Sequence, residues 1–298
     1  MNLRQAKRSK ARIRIALQGP SGSGKTYSAL LLAFGLTGDW KKIAVIDTEN
    51  QSADLYSELG QYYVLSLNEP YTPKRYGEAI LLCEASGIEC IIIDSITHEW
   101  NGKGGCLEMH EQITSAMRVP NSFTAWASVT PQHQAFIDSI LKSKCHVIST
   151  IRSKTEYVLT ERNGKQVPQK VGMAPITRDG FEFEVTLSFD IDAEHHAFIS
   201  KDRTGLFTGK PKFQITPETG KTILDWCNEG EDMVETVRAL VNGSITIDEL
   251  NALYRKYPEL SENLVSEFAR RKQELQEISH LLNGSAARGG NGYGTATN

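Results

Sequence analysis

Gly19-Pro20-Ser21-Gly22-Ser23-Gly24-Lys25-Thr26 is the stretch on which the reading of this chain turns. It has the form G-x-x-x-x-G-K-[ST]. Arg12–Leu17 before it alternates charged and apolar residues and predicts a strand. Thr26–Leu36 behind it is apolar and predicts a helix. In that context the glycines let the backbone wrap round phosphates with its N–H groups pointing inward, and the helix N-terminus adds favourable partial charge. Lys25 is then expected to reach the β- and γ-phosphates and Thr26 to ligate Mg²⁺. The competing explanation is a chance glycine turn.

Two apolar runs downstream end in acids. Cys90-Ile-Ile-Ile-Asp94-Ser95 predicts a strand buried on both faces, with Asp94 beside the phosphate loop as the Mg²⁺-holding carboxylate; the alternative is an ordinary helix N-cap. Ile43-Ala-Val-Ile-Asp47-Thr48-Glu49 predicts another such strand. A carboxylate at its end can polarise an attacking water, a role we assign to Glu49 rather than Asp47; the alternative is a solvated loop acid. No N/T-K-x-D base-recognition element occurs, so adenine is the expected base and ATP the expected nucleotide.

Helix signals at Ala79–Ser86 and Gln132–Lys142 and a strand at His146–Ile151 extend the alternation, which reads as α/β with a mostly parallel sheet. Beyond Arg152, Tyr157–Thr160 and Gln166–Val171 flank Asn163-Gly164, a hairpin signal. Glu182–Ile191 and Ala197–Lys201 predict further strands, antiparallel ones among them. From Glu229 the pattern turns helical. Met233, Val234, Val237, Leu240 and Val241 share a face, Thr246-x-x-Glu249 forms a capping box, and Ser261 precedes a long helix from Leu264 to Leu282 as its expected cap. The expected organisation is a nucleotide-binding domain over 1–228 with a basic arm at 1–11, a helical module at 229–283, and a disordered Gly-rich tail at 284–298.

The sequence of 298 residues has 40% hydrophobic and 23% charged residues and a net charge of −3, ordinary values that exclude wholesale disorder and rod-like folds. No global basic field announces a nucleic-acid partner, so such a surface must be local. The five cysteines form no C-x-x-C and are odd in number, which favours a reducing compartment over disulfides or a metal framework. Apolar runs are too short for a membrane span, and Met1–Arg14 lacks the apolar core of a secretory signal; a cytoplasmic protein without a membrane partner is expected.

The order of these elements, phosphate loop, strand with Asp-x-Glu, then Ile-Ile-Ile-Asp-Ser, resembles the RecA-like ATPases. It is most similar to those of phages and mobile elements, including the single-strand annealing group. The resemblance covers roughly residues 12–210. It implies an α/β RecA-like P-loop NTPase core, with a mostly parallel central sheet plus antiparallel strands, followed here by the small helical module. It places Tyr56 where a tyrosine stacks on adenine, against the alternative of a buried helix tyrosine. His146-Val-Ile-Ser-Thr150-Ile-Arg152 corresponds to the strand that ends in a phosphate-sensing glutamine. Thr150 or Arg152 stands there instead, with a surface arginine as the alternative. Ser200-Lys201-Asp-Arg203-Thr-Gly205 resembles the K-x-R element that related enzymes direct at the ATP of a neighbouring subunit, which implies a homo-oligomer, ring or filament; the alternative is a solvated strand edge. Strand alternation would let Lys201 and Arg203 act together.

Single-stranded DNA is the partner the resemblance implies. Three segments are candidate surfaces. The N-terminal arm carries Arg4, Lys7, Arg8, Lys10, Arg12 and Arg14, with no acid before Asp39. The region 152–180 holds Arg152, Lys154, Arg162, Lys165, Lys170 and Arg178 against three acids. The polar, Gly-rich stretch 97–131 offers Trp100, Phe123 and Trp126 for stacking, core tryptophans being the alternative. His98 and His110 fit no zinc spacing, and His195-His196 is expected at a surface turn. A small-molecule kinase or other metabolic NTPase, and a non-catalytic nucleotide-gated DNA scaffold, are the two rival functions.

Overall fold

The computed structural model describes residues 10–162 and 165–288. They divide into two compact units, Ala11–Cys227 and a second containing Lys10 and the chain from Asn228 onward.

The first unit is a mixed α/β domain around an eight-stranded sheet. Its strands are β1 (Arg14–Gly19), β2 (Ile43–Asp47), β3 (Tyr63–Ser66), β4 (Cys90–Asp94), β5 (His146–Arg162), β6 (Lys165–Pro175), β7 (Leu187–Ile191) and β8 (Ala197–Asp202). The order is β3-β2-β4-β5-β1-β7-β8, with β6 paired to β5. β1 to β5 and β7 run parallel, whereas β8 and β6 are antiparallel to β7 and β5. The central strands read as unbroken apolar runs because both faces are covered. Ile92 and Cys90 enter one core with Ile15, Leu17 and Leu30; Ile91 and Ile93 enter the other with Tyr76, Phe136 and Ile140.

The helices of this unit are α1 (Lys25–Thr37), α2 (Pro73–Ala85), α3 (Thr97–Asn101), α4 (Cys106–Ala116), α5 (Ser122–Lys142), α6 (Phe181–Glu184) and α7 (Pro217–Asn228). α1 and α7 touch through glycines: a Cβ on Gly35 would stand 2.8 Å from the Gly220 Cα. Thr72 caps α2 by accepting the Arg75 N–H, and Asn121 caps α5 by accepting that of Thr124.

Several expectations are corrected. The polar stretch 97–131, for which no element was predicted, forms α3, α4 and the first half of α5, which continues through Pro131. Glu182–Ile191 is not one strand: Phe181–Glu184 is helical and only Leu187–Ile191 pairs. β3 carried no recognised signal because its short run Tyr-Val-Leu-Ser is only half-buried at the sheet edge. β5 extends well past Ile151 and forms the predicted hairpin with β6; Asn163-Gly164 lies outside the described residues.

In the second unit, α8 (Met233–Gly243), α9 (Ile247–Lys256), α10 (Pro258–Asn263) and α11 (Val265–Arg288) bury Val237, Val241, Leu250, Leu264, Phe268 and Leu275 against one another. Asp232 caps α8, and Thr246 caps α9 by accepting the Glu249 N–H while the Glu249 carboxylate accepts that of Ile245. Ser261 does not cap the last helix. It lies inside α10 and donates to the Tyr257 carbonyl. α11 runs to Arg288, past the predicted start of a disordered tail at 284; residues 289–298 lie outside the described chain. Among the described residues no helix is long and apolar enough to cross a membrane.

Candidate nucleotide site

β1 ends in Gly19, and the chain turns through Pro20–Gly24 into α1, the geometry of a phosphate cradle. Gly24 has φ +85°, a conformation that side-chain-bearing residues rarely adopt, and a Cβ there would lie 3.1 Å from the His195 Nδ1. No side chain caps α1, so its first amides face the cleft with the partial positive charge of the helix end. The cleft has a volume of about 520 Å³; its walls include Lys25, Thr26, Glu49, Tyr56, Asp94 and Arg152.

The inserted position of β5 between β1 and β4 brings these residues together. Thr26 Oγ1 donates to Asp94 Oδ2 at 2.6 Å, and Thr150 Oγ1 donates to the other carboxylate oxygen at 2.5 Å. Asp94 is 3% exposed, and burial raises its pKa against the opposing pull of the two hydroxyls. A hydroxyl and a carboxylate side by side at the cradle are hard oxygen donors of the kind Mg²⁺ takes, one or two from protein and the rest from water and phosphate. Thr150 is fully buried and engaged in holding Asp94, so of the two candidate sensors only Arg152 lines the cleft.

Glu49 and Arg152 meet across the cleft. Arg152 Nε donates to Glu49 Oε1 at 2.8 Å, with a second contact between Nη2 and Oε2, and the Ser95 hydroxyl donates to Oε1 at 2.9 Å. Asp47 faces elsewhere: its carboxylate accepts the Glu49 and Ala53 N–H groups at 2.6 and 3.0 Å and shapes the loop that presents Glu49. Thr48 ties this loop to β4, its hydroxyl accepting the Ser95 N–H at 2.8 Å and standing 2.8 Å from His98 Nδ1.

Lys25 folds back onto the loop, donating to the Gly19 and Pro20 carbonyls at 3.0 and 2.8 Å. Burial pushes its pKa down to about 8; Asp94 opposes the shift and Arg152 adds to it. Above about pH 8 the free protein therefore loses the Lys25 proton, while a bound triphosphate favours the charged amine. ATP binding at about pH 9 is expected to take up about one proton and to weaken as pH rises further. Calorimetry in two buffers of different ionisation enthalpy measures this uptake. It should vanish in Lys25→Met, and a buffer-independent heat for the native protein would contradict it.

Tyr56 sits at the rim, its ring 5.8 Å from that of Tyr27. Six cleft residues were not among the predicted site residues: Tyr27, Ser28, Ser52, His195, Gln214 and Ile215. His195 was expected at a surface turn. It is exposed in the β7–β8 turn, as expected, and that turn also places it beside the cradle, at φ +65°. Nothing in the local sequence marks its place at the cleft, which depends on β7 lying beside β1.

Lys201 and Arg203 do not line this cleft. Arg203 lies one residue past β8, yet both side chains converge on the Phe183 carbonyl, Arg203 Nη2 at 3.1 Å. Neither is in an ion pair among the described residues. Asp202 fixes the turn between and beyond them: burial alone would raise its pKa, but the Thr204 hydroxyl and the N–H groups of Phe207, Thr204 and Gly205 bring it down to about 2.

The nucleic-acid candidates fare unevenly. Lys154 is exposed on β5, while Arg178 is half-buried and donates to the Thr130 hydroxyl at 3.1 Å. The side chains of Arg162, Lys165 and Lys170 lie outside the described residues. In the arm, Arg14 is buried and holds the carbonyls of Leu141, Ser143 and Cys145, which removes it from any phosphate-binding role. Arg12 meets His146, Lys10 pairs with Asp232, and Arg4, Lys7 and Arg8 lie outside the described chain. Trp100 and Trp126 stack on each other at 5.5 Å, with His110 on the far face of Trp126, so both indoles already have protein partners; Phe123 stays exposed.

A strand, glycine loop and helix cradling phosphates, with an acidic strand end beside the loop, define a P-loop nucleotide-binding core. The model of the AAA domain family AAA_24 matches residues 11–213, and the chain belongs to that family. It is accordingly a nucleotide-binding protein of the P-loop ATPase type. No curated protein matches the chain.

Proposed function

We propose that this protein is a RecA-like ATPase of the phage and mobile-element type, which works with single-stranded DNA in recombination or annealing and hydrolyses ATP at the interfaces of a homo-oligomer. The observation that carries the reading is the continuity of β5. The strand that presents Arg152 to the cleft, paired there with β1, continues from Ser153 into the β5–β6 hairpin, whose register shifts at Glu156/Tyr157, so the cleft and the hairpin share one strand. The segment 152–180 has six basic residues against three acidic ones, suited to a phosphate backbone.

In this reading Glu49 orients and deprotonates the attacking water, and Lys25 with the loop amides holds the phosphates. Thr26 and Asp94 would hold Mg²⁺, which would supply positive charge to the phosphates. Arg152 leaves Glu49 for the γ-phosphate when ATP enters, freeing the carboxylate for the water. Lys201 and Arg203, outside their own cleft and in no ion pair among the described residues, reach the ATP of a neighbour. Tyr56 packs against the adenine. The protein acts in the cytoplasm.

The deciding experiment is the ATPase rate with and without single-stranded DNA, alongside a solution mass measured with ATP. Turnover stimulated by the strand in an oligomer is expected. Turnover indifferent to nucleic acid, or a monomer that phosphorylates a metabolite, overturns the proposal in favour of a metabolic NTPase. DNA loading unaffected by Glu49→Gln would favour a nucleotide-gated scaffold.

A further inference from the structure

Three side chains on three different helices meet in the interior of the 97–142 segment. Glu99 from α3, Cys106 from α4 and His133 from α5 are 0%, 0% and 5% exposed. Cys106 Sγ lies 3.0 Å from Glu99 Oε1; His133 Nδ1 lies 3.0 and 3.2 Å from the two Glu99 oxygens and 4.0 Å from the sulfur. All three ligand atoms fall within 4.8 Å of one another. Two atoms bound to one tetrahedral zinc at about 2.0–2.3 Å stand roughly 3.3–3.8 Å apart. The trio therefore brackets the required spacing and needs shifts of only a few tenths of an ångström.

A second observation concerns what holds this segment together. Cys106 is the sole buried residue of α4, an 11-residue helix. No α4 residue belongs to any of the three apolar clusters found among the described residues. Besides the stack of His110 on Trp126 and its hydrogen bond to Ser122, the one fully buried attachment of α4 is thus at its first residue, a thiol facing a carboxylate and an imidazole. Polypeptide segments with too little apolar burial are commonly closed by a structural metal. The charges also balance: a thiolate and a carboxylate neutralise a divalent ion, with the imidazole neutral, so the buried cluster carries no net charge.

We propose that Glu99, Cys106 and His133 bind a zinc ion that pins α3, α4 and α5 together. The mixed thiolate, imidazole and carboxylate donors suit a borderline divalent ion and not Mg²⁺ or Ca²⁺. The remaining coordination position goes to the second Glu99 oxygen or to a water. The site is separate from the hard-oxygen pair of Thr26 and Asp94, and it does not depend on the nucleotide chemistry.

Elemental analysis and cobalt titration of the full chain test it. The purified protein should carry about one zinc per chain. After chelation, Co²⁺ should give visible d–d bands with a thiolate-to-cobalt charge-transfer band in the near ultraviolet, and chelation should lower the melting temperature by several degrees. Cys106→Ser preserves size and a hydrogen bond to Glu99; it should lose the charge-transfer band, bring zinc to background and make the melting temperature insensitive to chelator. A cobalt signal without the thiolate band means binding at oxygen donors and overturns the proposal. So does a folded native chain that holds no zinc and is indifferent to chelator, which leaves the trio a metal-free hydrogen-bonded cluster. Zinc retained by Cys106→Ser overturns it equally. If that variant is insoluble, the titration of the native chain decides alone.

Discussion

Arg203→Ala is expected to lower steady-state ATP turnover by ~10³–10⁵-fold while leaving ATP affinity within a few-fold of the native value. The size follows from the chemistry: charge builds on the phosphoryl oxygens in the transition state, and a cation placed there stabilises that state far more than bound ATP. The geometry motivates the second half of the prediction. Arg203 lies outside the lining of its own cleft and donates to the Phe183 carbonyl, so its removal leaves the phosphate cradle intact. A mixing assay checks that the residue works between subunits. Chains carrying Arg203→Ala keep a complete cleft, and chains carrying Glu49→Gln keep the cation; each alone should be inactive, yet a mixture should regain turnover at interfaces that pair an intact cleft with an intact arginine. A fully active Arg203→Ala protein would sink the subunit-interface mechanism.

Glu49→Gln is expected to reduce hydrolysis by ~10²–10⁴-fold, the usual contribution of a general base. ATP binding should be retained or strengthened, so the variant should accumulate as an ATP-bound oligomer. The amide keeps the size of the carboxylate and can still accept from the Ser95 hydroxyl, but it cannot take the water proton. It also removes the charge that draws Arg152 away from the phosphate side of the cleft. Single-turnover hydrolysis and nucleotide-release measurements separate these effects. Loss of ATP binding together with hydrolysis would instead make Glu49 a scaffold of the cleft, with the Arg152 ion pair as its chief role.

Much of the cleft was legible because its parts are local. The phosphate loop needs a strand, left-handed glycines and a helix start in one contiguous stretch, and residues 14–37 supply all three. Asp94 and Glu49 were legible because each follows an apolar run that only a strand covered on both faces can use. Residues 97–131 form α3, α4 and the first half of α5 although exposed over much of their length; Asn121 caps α5, and few positions, Glu99, Cys106, Ala125 and Val129 among them, are fully buried, too few for an apolar period to show.

Sequence alone determined the class of core and the residues of its cradle, since backbone conformation, capping and burial period are written in neighbouring positions. The tertiary structure alone decided the pairings: Glu49 with Arg152, 103 positions apart, His195 over Gly24, Arg14 spent on carbonyls, and Glu99, Cys106 and His133 drawn from three helices. Those meetings follow from the strand order and from which helices cross which strand ends. Apolar patterning specifies that a strand is buried, but not which strand it lies beside.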